Sequence, residues 1–323
     1  MTLLSHRLTT RDNQPMNTKR SRITRLATGS LAAAVIVATY GCEADRNVVA
    51  PPQTNSAAAA ARTFVGANPS FDPRVAPADR LHPSAVAALQ RTAWVGRIHR
   101  DGLAEFAQQR VKGGPAEANC AILAKVIARH VPDAEAESGI KFSGQGRRDV
   151  VREAVRSTGP CAGYQPMSLW NAAASASATG GGNDLVSDRG IAYGESMINA
   201  VRGVNGYRPY VDEEVYRVLN EAVAAGLSTA DLDYVAGVGN EAISSSQYWN
   251  EVELGYGGSL PGLNPADYVM AIWAYVALDA LGCGVGAGSA YIGGERRTGA
   301  LLAQCALVGI GSSAGGFLGT RLM

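Results

Sequence analysis

The sequence predicts an all-α fold, a helical bundle with a C-terminal glycine-rich apolar helical hairpin. Three observations carry this. From Pro83 onward, apolar residues recur at i+3 and i+4 steps rather than in alternation. Several of these runs are bounded by residues that start or stop helices. No stretch alternates strand and helix patterns in the βαβ manner, which argues against a doubly wound α/β sheet.

The first predicted helix follows Pro83, where Val86, Leu89, Ala93, Trp94, Ile98, Leu103 and Phe106 form a stripe. In the next, Cys120, Leu123 and Ile127 share a face, with Ile122 and Val126 beside them. Lys141–Arg148 and the low-complexity ASASATGGGND at 174–184 are expected to be surface connections. A further helix begins with acids at Asp212–Glu214, carries Val215, Val218, Leu219, Ala222 and Val223, and stops at Gly226. Ser228 to Asp231 then resembles a capping box, opening a helix with Leu232, Val235, Val238, Ala242 and Ile243.

The hairpin is predicted over 264–319. Asn264, Pro265 and Asp267 make a cap, a first-turn proline and an acid at the positive end of the dipole. The run that follows is apolar except for Asp279. A charged turn, GGERRTG at 293–299, separates it from a second apolar run with no charge as far as Gly319. Gly282, Gly286 and Ala290 recur every four residues, as do Gly311, Gly315 and Gly319. Glycine costs about 1 kcal/mol against alanine in a helix, and its compensation is close approach of another backbone. Burial inside the protein and insertion into a bilayer both suit such a hairpin. Asp279 favours burial, because a lone carboxylate within a membrane is costly.

The N-terminus has the layout of an export signal. Residues 1–41 hold Arg7, Arg11, Lys19, Arg20, Arg22 and Arg25 against the single acid Asp12. From Met16, which is the expected start, a basic segment leads into an apolar run too short for the ~20 residues of a span. Ala38 to Cys42 resembles a bacterial lipobox, with Gly41 before the cysteine, and Thr39 and Tyr40 where the motif usually has Leu and Ala or Ser. Cys42 is therefore the expected lipidation site, and two acyl chains suffice for stable anchoring. Residues 42–82 read as a flexible tether and 83–323 as the helical domain. The alternative is ordinary cleavage near Ala44 and a secreted product.

Setting Cys42 aside leaves Cys120, Cys161, Cys283 and Cys305, an even set that suits an oxidising compartment. Three pairings are open. Chain order favours 120–161 and 283–305, and Cys283 and Cys305 stand 11 residues on either side of Gly294, level across an antiparallel hairpin.

With 29 basic and 28 acidic residues the chain lacks the charge footprint of a nucleic-acid binder. The four histidines are scattered, with no spacing for a metal, and no cofactor motif survives inspection. Gly311 to Gly315 matches G-x-S-x-G, but a helix-like run precedes Ser313 and no Asp or His follows it. Gly282-x-Gly284 and Gly309-x-Gly311 imitate a dinucleotide fingerprint without its strand or its acid. The remaining candidates for acid–base work are His99 and Asp101. On a helix positions i and i+2 point apart, so His99 is expected to be a packing or capping residue instead.

The segment WVGRIHRDGLAEF at 94–106 resembles the VG-x-x-HN-x-GL signature of uncharacterised exported proteins of Bacteroidota and neighbouring phyla, with Arg100 in place of the Asn. Those proteins also carry Ser-x-x-Tyr-Trp, matched by Ser245 to Trp249, and an Asp before a Gly/Ala-rich apolar tail, matched from Asp279. The resemblance runs over residues 90–319 and implies no activity. The tail is similar to the Gly-rich tails of some bacteriocins.

The expectation is thus a cell-envelope lipoprotein, attached to a membrane by its lipid, with a non-enzymatic structural or interaction role and no cofactor, metal or nucleic acid. Its alternatives are a membrane-active protein acting through the hairpin and an enzyme using His99.

Overall fold

The computed structural model describes residues 81–163, 178–180, 184–204, 208–250 and 265–319. The predicted signal segment, Cys42, most of the tether and Asn264 lie outside these.

Among the described residues the protein is almost wholly helical. The order is α1 (Pro83–Gln109), α2 (Ala116–Ser138), β1 (Ile140–Phe142), α3 (Gly144–Arg156), β2 (Ala178–Gly180), α4 (Asp188–Gly203), α5 (Arg208–Ala224), α6 (Thr229–Tyr248), α7 (Pro265–Ile292) and α8 (Thr298–Gly319). The two short strands pair antiparallel, Ile140 opposite Gly180. Helices α7 and α8 form the expected hairpin, and α8 also packs on α1, α2, α3 and α6. It is the central helix. Leu301, Ala303, Leu307, Val308 and Ile310 are fully buried in it.

Local chemistry sets the helix ends. Helix α1 begins at Pro83, where a missing N–H costs nothing, with the His82 side chain accepting from Ser84 N–H. Gly139, with φ of 69°, ends α2 in the left-handed conformation that a side chain would resist. Ser228 caps α6 through Asp231 N–H, as the sequence predicts. The Asp231 carboxylate has a second use, because it accepts from the backbone and hydroxyl of Ser187, the cap of α4.

The Lys141–Arg148 connection is a correction. It holds β1 and the first turns of α3, because Ser143 caps Gly146 and the Val150, Val151, Ala154 and Val155 stripe is buried. The glycines at 144 and 146 sit at the helix start, where they break nothing.

The hairpin glycines divide between two neighbours. Gly282 and Gly286 face α8: an added Cβ would overlap the Ser312 side chain at the first and lie 2.6 Å from the Gln304 carbonyl at the second. Gly311 and Gly315 face away from α7. A Cβ at Gly311 would collide with the Ala154 carbonyl of α3, and one at Gly315 would lie 3.0 Å from the Thr158 carbonyl. Ala290 is buried and Gly319 ends α8. Each strip lets a different backbone come close.

Cys283 and Cys305 are paired across the hairpin, and Cys120 is paired with Cys161, joining α2 to the turn after α3. At the hairpin tip Gly294 turns the chain with φ of 94°. Val186 N–H donates to Arg296 O, and Thr298 N–H donates to Asp184 O. Tyr275–Ile292 and Thr298–Gly315 are long and apolar enough to cross a membrane, but most of the second is enclosed by other helices.

Candidate functional site

Four helices bring one polar group each to the same buried point. Helix α1 supplies His99, α6 supplies Glu241, α7 supplies Asp279 and α8 supplies Ser313. The first three are 0% exposed and Ser313 is 1% exposed. Residues 241, 245 and 249 are spaced by four, so Glu241, Ser245 and Trp249 lie along one face of α6 and its continuation. That face adds the Ser245 hydroxyl and the Trp249 indole.

The His99 Nε2 and Ser313 Oγ share a hydrogen bond of 2.6 Å. Glu241 Oε1 is 3.6 Å and Asp279 Oδ2 is 3.8 Å from the same nitrogen. Asp279 Oδ2 accepts from Trp249 Nε1–H at 3.0 Å and from the Ser245 hydroxyl, and Ser313 is also hydrogen-bonded to this carboxyl. If the Ser313 hydroxyl donates to Asp279, its oxygen receives Nε2–H, and Nδ1 is then the bare nitrogen of a neutral ring. Nδ1 has no partner, and the same holds for Asp279 Oδ1 and both oxygens of Glu241. Gly309 makes room for the Glu241 carboxyl: a Cβ there would stand 2.6 Å from Oε1 and 3.2 Å from the His99 ring. Trp249 is held in place by stacking on Tyr275, with ring centroids 4.1 Å apart.

Burial governs the charges. It pushes His99 down to about 3, so the ring is neutral. It pushes Asp279 up to about 7 despite the three donors from Ser245, Ser313 and Trp249. Glu241 rises well above the usual carboxylate range, first through burial and then through repulsion from Asp279.

Such a set cannot work as a hydrolytic triad. A triad places its acid on Nδ1, to fix the tautomer and stabilise the imidazolium. Here both acids approach Nε2, and Nδ1 is bare. Ser313 lies inside helix α8, not on the strand-to-helix elbow that its G-x-S-x-G setting would require. Among the described residues, no group of three His, Cys, Asp or Glu side chains is arranged to hold a metal ion.

Asp101, the other candidate, is not part of this. It is half exposed beside Arg100, Nε to Oδ1 3.5 Å, on the other side of the helix from His99. His99 is packed inside the bundle as expected, and its ring bonds a serine side chain beside two carboxyls. Glu241 and the role of Ser313 were not visible in the sequence. The available signal was a charged residue inside an otherwise apolar helix face, Glu241 between Val238 and Ala242. The segments around His99, Ser245 to Trp249 and Asp279 meet at this one point.

No family model, curated protein or solved structure matches the chain.

Proposed function

We propose that the protein is an exported cell-envelope lipoprotein, anchored through Cys42, whose helical body has a structural or interaction role rather than an enzymatic one. The observation that carries the non-enzymatic part is burial: the cluster of His99, Glu241, Asp279 and Ser313 is closed to solvent. A substrate would have to part α1, α6, α7 and α8 to reach it. The basic and apolar N-terminus, Gly41-Cys42 and two cysteine pairs at bonding distance support the envelope placement. Replacing Cys42 with alanine and fractionating cells tests it. Loss of acyl labelling together with release from the membrane fraction is expected, and unchanged membrane retention would dismiss the anchor.

A second reading has one specific observation behind it, the two apolar helices long enough to span a bilayer. In that reading the hairpin leaves the body and enters a membrane. Leakage of dye from lipid vesicles on adding the full mature chain would favour it. Intact vesicles are the outcome expected for a hairpin that serves as core.

A further inference from the structure

Two carboxyl groups in a dry core present a charge problem with few solutions. If Glu241 and Asp279 were both ionised, the interior would hold two negative charges, and a buried ion pair or cation would be needed to offset them. Among the described residues no lysine or arginine contributes to the electrostatics of either group. From α1 the facing group is His99, from α7 Asp279, and from α8 only the Ser313 hydroxyl. His99 is itself buried and neutral, and no three-ligand cation geometry exists there. Three carboxyl oxygens, Glu241 Oε1, Glu241 Oε2 and Asp279 Oδ1, face no partner, while Gly309 keeps space for one of them.

We propose that Glu241 and Asp279 form a buried proton-binding site, with two carboxylic protons standing where a cation would otherwise be required, and that the stability of the α1–α6–α7–α8 junction is thereby tied to pH. Unpartnered Oδ1 is the proton's place on Asp279, because Oδ2 already accepts from Ser245 and Trp249. The raised positions of both acids agree with this. An acid raised in the folded state contributes stability below its unfolded value and loses it as pH rises through the folded value. Asp279 therefore loses its share as pH rises to about 7, and Glu241 loses its own as pH rises through its raised folded value. His99 acts in the opposite direction, but only between about 3 and its ordinary value of 6.5. Above that window the acids act unopposed, and the fold weakens as pH rises. The inference does not depend on export or on the lipid.

Infrared difference spectra of the full mature chain test it. Subtracting the Glu241→Gln spectrum from that of the unaltered protein at pH 6 should leave a protonated carboxyl band, and Asp279→Asn should leave another. Asp212, a second buried acid pushed up to about 6, cancels in both differences. Glu241→Gln should also flatten the fall in melting temperature between pH 6.5 and 9. No protonated band at pH 6 would overturn the proposal. So would a melting temperature that calcium raises in the unaltered protein and not in Glu241→Gln. If either variant fails to fold, the pH 6 against pH 9 comparison is made on Asp212→Asn, which removes the other raised acid, and a protonated carboxyl band that persists there still decides.

Discussion

His99 and Ser313 stand 214 positions apart in the chain and 2.6 Å apart in space. Their contact joins the first helix of the body to the last, through the middle of the central hairpin. Every helix that meets there brings a polar group into an otherwise apolar interior. Interiors optimised for stability avoid such arrangements, because an unpartnered buried polar atom costs about 1–3 kcal/mol. Four of them here mark the point where this fold departs from simple packing.

His99 carries a prediction for acid. Its folded value is lowered from 6.5 to about 3, so it contributes stability above the unfolded value and loses it as pH falls through the folded one. His99→Gln removes that loss. Urea titrations should show the unaltered protein losing roughly 3 kcal/mol relative to the variant between pH 6.5 and pH 4. A difference that stays constant with pH would mean that the ring is charged inside the fold.

Two glycines of the hairpin predict opposite effects. Gly311→Ala pushes a methyl into the Ala154 carbonyl, which as backbone cannot swing aside, and it should cost about 1–3 kcal/mol. Gly288 on α7 has nothing within 4 Å of an added Cβ, so Gly288→Ala should stabilise by up to about 1 kcal/mol through helix propensity. Denaturant midpoints of the two variants measure both. Equal effects would mean that the close crossing of α3 and α8 is absent.

The hairpin bridge predicts its own contribution. Non-reducing peptide mapping should recover Cys283 linked to Cys305 and Cys120 linked to Cys161. Replacing Cys283 and Cys305 with serine should cost about 3 kcal/mol, the scale for a loop of this length. Free thiols at these positions in protein purified from an oxidising compartment would contradict the pairing.

Much of the architecture was legible because the signals were local. Apolar stripes gave α1, α2, α5 and α6, and a proline start and a charged turn gave the hairpin. Helices α3 and α4 were harder, since each carries glycines near its start and α4 packs Gly190 and Gly194 against Asp231 and Tyr234. The pattern of α4 therefore shows small residues where a stripe of large apolar ones would have revealed it. The buried cluster depended on distance relationships that no spacing encodes. His99, Glu241, Asp279 and Ser313 sit on four helices, and only their packing makes them neighbours. Asp279 did stand out, as the one acid within an apolar run, and the expectation that it would be partnered inside the protein matched its bonds to Ser245 and Trp249.

The central claim is that this cluster is closed to the outside, and histidine acylation tests it most directly. Diethyl pyrocarbonate applied to the native chain, with modified residues located by mass spectrometry, should label exposed His82 readily and leave His99 unlabelled until the protein is unfolded. Labelling of His99 in the native state at a rate near that of His82 would show the site open, and would return the protein to the enzymes.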